Sequence, residues 1–149
     1  MTLKEHLLLK CKDFISQRKY VIHGVISGIE TSLQSETKSS AGDKHETGRA
    51  MLQLEREKSG VQLSQIGKLE ETLSKIDITK ERKNVSLGSI VYTSQSNYFI
   101  AISAGEFQIE NEMFYAISPS TPIGKLLIGR AKKEEVNFNG RKIKILEII

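Results

Sequence analysis

The chain has 149 residues, 38% hydrophobic and 27% charged, and its 22 basic side chains against 18 acidic ones give a formal charge of +4. That length allows one domain or two small ones, and so mild a basic excess permits an acidic partner without demanding nucleic acid. No apolar run approaches the roughly 20 residues of a bilayer crossing, MTLKEHLLLKCKD carries charge too close on both sides of its short apolar run to be a signal peptide, and a lone cysteine, Cys11, excludes an internal disulfide; a soluble, cytoplasmic protein with no membrane partner is expected.

Two apolar stripes at heptad spacing occupy residues 1–76. The first holds Leu8, Cys11, Ile15, Ile22, Val25 and Ile29; the second holds Leu52, Ile66, Leu69, Leu73 and Ile76. Folding the chain about residues 40–41 sets Leu8 opposite Leu73, Ile15 opposite Ile66 and Ile29 opposite Leu52, the pattern of a long antiparallel helical hairpin. The first helix is predicted from about Thr2 to Gln34, opened by a Thr2/Glu5 capping box. Gly24 and Gly28 each cost about 1 kcal/mol relative to Ala in a helix, which points to close approach of the partner helix. A polar loop follows, Ser35 to Asp43, and Asp43 with Glu46 three residues on signals the next helix. That helix is predicted from Lys44 to Lys75, weak in its middle, where Glu55, Ser59 and Gln62 fall on stripe positions. Each arm of some 30 residues would span roughly 45 Å.

Residues 77–84 read as a charged linker. Beyond them the hydrophobic period changes to two. Strands are predicted at Val85–Tyr92, Tyr98–Ser103, Glu106–Ile109, Met113–Ser118, Glu135–Phe138 and Lys142–Ile148, with Asn139-Gly140 as a hairpin turn. One short helix, Ser120–Ile128, interrupts them, with Pro122 suited to its first turn and Gly129 to its end. Seven of the nine aromatic residues and both prolines lie in this half. The expected fold is therefore α+β: a helical hairpin over 1–76, a linker, and a small antiparallel sheet with one helix over 85–149.

No enzyme motif is visible: no CxxC, HExxH, phosphate loop or GxSxG. His6 and His23 read as surface residues, while His45 lies at the hairpin turn and is kept as a contact candidate. The functional candidates there are the acids Glu36, Asp43 and Glu46. Carboxylates clustered at a loop can hold a hard cation such as Mg²⁺ or position water; equally, Asp43 and Glu46 can simply cap the second helix. Lys38, Lys44, Arg49, Arg56 and Lys58 decorate the same third of the hairpin, either as a solvated face or as contacts to nucleic-acid phosphates.

The segment Ile117-Ser-Pro-Ser-Thr-Pro-Ile-Gly-Lys-Leu-Leu-Ile-Gly-Arg130, with Glu135-Val-Asn-Phe and the closing Ile143-Lys-Ile-Leu-Glu-Ile, resembles the C-terminal domain of the Gre family of bacterial transcription elongation factors. The order and length of the two halves resemble that family too, and the turn phrase KSSAGDKHETGRA is similar to a divergent Bacteroidetes-type subgroup. The resemblance implies an FKBP-like C-terminal domain that docks on RNA polymerase, with Ser118, Pro119, Pro122 and Lys125 as docking candidates. It implies a hairpin that enters the polymerase secondary channel, where tip acids help hold a Mg²⁺ shared with the polymerase active site. Cleavage of backtracked RNA at its 3′ end follows; the chain itself is an accessory monomer and no enzyme, with no tightly bound metal. Lys44, Arg49 and Arg56 become the nucleic-acid contact candidates. The turn departs from the family pattern: where the family has Asp and two Glu, aligning on His45 places Thr37, Ser40 and Asp43. Two alternatives stay open, a secondary-channel regulator that stimulates no cleavage and a hairpin chaperone or prolyl isomerase.

Overall fold

The computed structural model describes residues 1–38 and 42–149, and for 36–38 and 42–45 the backbone alone. Two long helices, α1 (Leu3–Lys38) and α2 (Gly42–Ser74), precede six strands and one short helix. The expected Thr2/Glu5 box is formed in both directions: the Thr2 amide donates to the Glu5 carboxylate at 2.8 Å, and the Glu5 amide donates to Thr2 Oγ1 at 3.2 Å. Two orphan amides at the start of α1 are thereby satisfied.

The chain divides into two compact units, Ile15–Glu70 and Met1–Phe14 with Glu71–Ile149. The sequence divides it elsewhere, at residues 77–84, where composition and period change.

In the first unit α1 and α2 return on one another. Ile15, Ile29, Ser59 and Ile66 are buried, with Ile22, Ile26, Leu33, Leu52 and Leu63 half-buried around them. Val25 and Gln62 lie instead on exposed faces, and the adjacent Ile26 and Leu63 take the places expected of them. Where two neighbouring positions both fit a stripe, periodicity alone does not choose between them, because a 3.6-residue helix drifts about 20° per heptad against a 3.5 repeat. Lys19 pairs with Glu70 at 3.3 Å and Glu30 with Arg56 at 3.0 Å, tying α1 to α2 along one side.

The glycines of the hairpin do not do what their spacing implies. A Cβ built at Gly24, Gly28, Gly60 or Gly67 meets nothing within 4 Å, so none marks a close helix approach. All four are exposed. Substituting Gly24→Ala and Gly28→Ala is expected to stabilise the hairpin by about 1 kcal/mol per site, since nothing offsets the helix-propensity cost. A thermal melt that is unchanged or lowered by the pair of alanines refutes this.

In the second unit the strands are β1 (Ile90–Thr93), β2 (Asn97–Ile100), β3 (Gly105–Ile109), β4 (Glu112–Ile117), β5 (Glu135–Phe138) and β6 (Arg141–Ile148), and α3 (Pro122–Leu127) lies between β4 and β5. The sheet order is β3-β4-β2-β1-β6-β5. The expectation of an antiparallel sheet needs correction: β2 and β4 pair in parallel, Tyr98 beside Tyr115, and the sheet is mixed. Alternation identifies strands but not their neighbours. Here β3 pairs with β4 on its far side, so β4 returns beside β2 in the same direction. Backbone bonds from Ala101 to Ile117 (2.8 Å) and from Ala104 to Ala116 (3.2 Å) fix the crossing.

The predicted first strand is also shorter than its alternation suggests. Ser86–Ser89 forms a tight turn, with the Ser89 amide on Ser86 O at 3.0 Å and Gly88 at φ +92°. A Cβ at Gly88 would lie 2.9 Å from Ile76 Cγ2, so glycine is required there twice over. The Asn139-Gly140 turn forms as expected, both residues at positive φ (52° and 79°) between β5 and β6.

The core on one side of the sheet gathers Val85, Val91, Ile100, Val136, Ile143 and Ile145 under Leu127 of α3. Elsewhere in the unit Phe99 and Phe114 are fully buried, as are Leu7 and Cys11 of α1. Lys4 is buried too; its Nζ donates to the Lys80 carbonyl at 3.3 Å, and burial lowers its pKa, partly offset by Glu81. Burial pushes the Cys11 thiol up to about 12, against a small opposing bond with the Ile102 backbone. The reactive species is the thiolate, so at pH 8 the native protein should resist alkylation while denatured protein labels at once. Equal labelling rates in the two states contradict this burial.

Candidate functional site

The hairpin turn is narrower than the sequence implies. Ser35–Lys38 continue α1, and Gly42 and Asp43 open α2; residues 39–41 lie outside the described residues. Glu36 and Lys38 are good helix formers, and a helix already packed against a partner extends more readily than an isolated one. The expected loop Ser35–Asp43 is thus helical at both ends.

By backbone position, Glu36 falls in the last turn of α1 and Asp43, Lys44 and Glu46 fall in the first turns of α2. The side chains of Glu36, Asp43, Lys44 and His45 lie outside the described residues. Because α2 begins at Gly42, Asp43 stands inside its first turn rather than ahead of it as an N-cap. A carboxylate in a first turn is favoured by the helix dipole, whereas one in a last turn is disfavoured. Glu46 and Arg49 are exposed. Arg56, a nucleic-acid candidate by sequence, is held by Glu30 in a half-exposed ion pair worth about 1 kcal/mol or less, weak enough to release.

The donor set bears on the metal. Mg²⁺ takes six oxygens in near-octahedral geometry, and three carboxylates fall short of that. Among the described residues no three His, Cys, Asp or Glu side chains converge on one point. Three carboxylates alone leave the rest of a Mg²⁺ shell to be filled by water or other ligands.

The second candidate region is Ser118–Lys125. Ser118 O accepts from the Thr121 amide at 3.1 Å and from Thr121 Oγ1 at 2.7 Å. Thr121 Oγ1 in turn accepts the Gly124 amide at 3.1 Å as the N-cap of α3, and Pro122 follows in the first turn. Ser118 Oγ meets Ser120 Oγ at 2.8 Å and accepts the Ser120 amide at 3.2 Å. A Cβ at Gly124 would overlap Ser118 O and lie 2.8 Å from Thr121 Oγ1. The segment is therefore a rigid knot. It buries Gly124 and Leu127, leaves Pro119 half-buried, and turns Pro122 and Lys125 outward.

The sequence pattern starts this helix at Ser120, whereas Thr121 caps it and the helix begins at Pro122. Thr followed by Pro is itself a helix-start signal, so the information was present. Tyr98 and Tyr115 add a tilted ring pair at 6.1 Å on the adjoining strands, and the Glu106 carboxylate beside Tyr115 raises that phenol's pKa. No described helix is long and apolar enough to cross a membrane.

No family model matches the chain, and no curated protein does. Solved structures similar to it include two of one transcription factor. One is the crystal structure of GreA factor homolog 1 (Gfh1) of Thermus thermophilus, 18% identical over 91% of this chain and 92% of that one, at a TM-score of 0.35. The other is a structure of the transcription factor Gfh1, 18% identical over 90% of each chain, also at 0.35.

Proposed function

We propose that the chain is a Gre-like transcription factor that binds RNA polymerase, inserts its hairpin into the secondary channel and promotes cleavage of backtracked RNA. The observation that carries the proposal is the placement of three acids, Glu36, Asp43 and Glu46, in the helical turns flanking residues 39–41 of a long paired hairpin. The knotted Ser118–Lys125 segment, in the stretch that resembles the Gre C-terminal domain, supports it as the docking element. The finer place in the Bacteroidetes-type subgroup rests on the turn phrase alone.

The chemistry divides between the two proteins. A Mg²⁺ shared with the polymerase would supply charge stabilisation and an acidified water for phosphodiester hydrolysis. This chain's share is position: Asp43 and Glu46, on consecutive turns of α2, offer oxygens from a stiff helix, and Glu36 adds negative charge from α1. Lys44, Arg49 and Arg56 are offered to RNA phosphates. Pro122 and Lys125, with Ser118 and Pro119 holding them, are offered to the polymerase surface. The chain acts as an accessory factor.

The departure of the turn from the family pattern favours one second reading. Thr37 and Ser40 stand where the family carries acids, so the chain would bind and regulate without stimulating cleavage. A prolyl isomerase is a poorer match, because Phe99 and Phe114 are consumed in the sheet core rather than lining an open cavity.

The test is to add purified protein to stalled, backtracked polymerase complexes and follow RNA length. Shortening that scales with added protein supports the first reading. Altered pausing or initiation without shortening supports the second. No binding to polymerase removes both.

A further inference from the structure

Lysine and arginine are spread unevenly through the sheet-containing unit. Residues 84–124 hold neither, and their charges are Glu106, Glu110 and Glu112 alone; residues 125–149 hold seven basic side chains against three acidic ones. The sheet order turns that difference into a separation in space. β3 and β4, with Glu110 in the turn between them, form one edge, and β6 and β5 form the other. Six strands spaced about 4.8 Å put the two edges roughly 24 Å apart. The sheet is acidic at one end and basic at the other.

The linker adds to the basic edge. Asn84 bridges Ala131 antiparallel, and the Val85 amide donates to Arg130 O at 2.8 Å. Arg82 and Lys83 are thereby brought beside Arg130, Lys132 and Lys133. Arg130 pairs with Glu134 at 3.9 Å and Lys132 with Glu147 at 3.0 Å. Lys83, Lys133, Arg141, Lys142 and Lys144 are exposed and, among the described residues, make no ion pair. Ile143 and Ile145 turn into the core, so Lys142 and Lys144 stand on the opposite face of β6. The edge also ends in a free ribbon. β1 pairs with β6 only from Ile145 to Ile148, and the Ser94 amide donates to Lys144 O at 2.9 Å. Beyond that point residues 136–138 and 141–143 have only each other as strand partners.

We propose that this basic edge binds the phosphate backbone of duplex DNA without reading its sequence. From Arg141 to Ile145 the row of cations extends about 14 Å along β6, and a duplex carries one negative charge per about 1.7 Å of its axis. The residue types favour nucleic acid over an acidic protein. Four of the five unpaired cations are lysine, which is depleted at protein interfaces and serves phosphates as a point charge. A double helix is favoured over a single strand, because Phe138, the aromatic ring of the ribbon, packs against the core and offers no platform for stacked bases. The ribbon favours DNA over RNA. The major groove of B-DNA, about 12 Å wide, admits two β-strands, whereas that of A-form RNA is closed to side chains. This inference does not depend on the proposed role at polymerase, since it concerns the chain and DNA alone.

Fluorescence anisotropy of a labelled, mixed-sequence duplex of about 20 base pairs, titrated with the full chain between about 50 mM and about 200 mM salt, tests it. Five phosphate contacts should give a slope of about −4.5 in log affinity against log salt, a loss of about 500-fold over that range. Arg141→Gln with Lys142→Gln should bring the slope to about −2.7 and weaken binding at the lowest salt at least about tenfold. The circular dichroism melt should be unchanged, because both sites are exposed. Lys10→Gln with Lys12→Gln, which removes the same charge from exposed positions of α1, should leave the slope as it is. No binding at the lowest salt overturns the proposal and leaves the edge to an acidic protein. Binding that Arg141→Gln with Lys142→Gln leaves intact overturns this assignment of the surface. Equal affinity for an RNA duplex of the same length overturns the choice of DNA.

Discussion

Replacing Asp43 and Glu46 together by alanine is expected to reduce stimulated RNA shortening on the order of 100-fold, about 3 kcal/mol of transition-state stabilisation, while polymerase binding is retained. The reasoning separates two roles that the sequence leaves joined. If these residues only start α2, their amide counterparts should serve, since Asn caps a helix about as well as Asp. If they bring negative charge to a shared ion, Asp43→Asn with Glu46→Gln should be as inactive as the double alanine. The start of α2 at Gly42 already weakens the capping role of Asp43. Retained cleavage in the amide pair, or lost binding in the alanine pair, contradicts the proposed role of the turn.

The second large effect belongs to Gly124. It is buried at a helix start with an ordinary backbone angle, so conformational freedom is not the reason for glycine there. The reason is space. A methyl group would collide with Ser118 O, press on Thr121 Oγ1 and touch Pro119 Cα at 3.1 Å. Two of these obstacles are backbone, which cannot rotate away. Gly124→Ala is therefore expected to destabilise the sheet-containing unit by about 3 kcal/mol, lowering its Tm on the order of 15 °C. It should also weaken polymerase binding, because Pro122 and Lys125 are displaced with the cap. A melt within about 2 °C of the parent shows that the knot can yield and refutes the steric account.

What the sequence reveals here follows from the range of the interaction involved. The capping box at Thr2 and Glu5, the Asn139-Gly140 turn and Gly129 just beyond α3 at φ +82° are local events, legible because the residues that make them are neighbours. The helical hairpin is legible because its stripe repeats many times. The parallel pairing of β2 with β4 is not legible, because it depends on which side β3 takes. Gly24 and Gly28 mislead for a similar reason: a helical glycine has the same spacing whether it faces a partner or water. The candidate acids can be found as a cluster, but their relation to α2 depends on one residue of helix boundary. The polarity of Ser59 marks a weak point of the seam, yet the residue is buried there, since its position in the repeat outweighs its polarity.

The composition of the second unit bears on how it is made. Met1–Phe14 leave the ribosome before the hairpin is complete, yet the segments they join begin only at Glu71. Closing so wide a gap through disordered chain would be entropically unfavourable and slow. The intervening residues, however, are helices of mostly local contacts, able to form early and bring Phe14 and Glu71 near each other before the strands exist. On that account the hairpin acts first as an assembly jig for its own molecule, and damage to its seam would show as delayed maturation of the sheet.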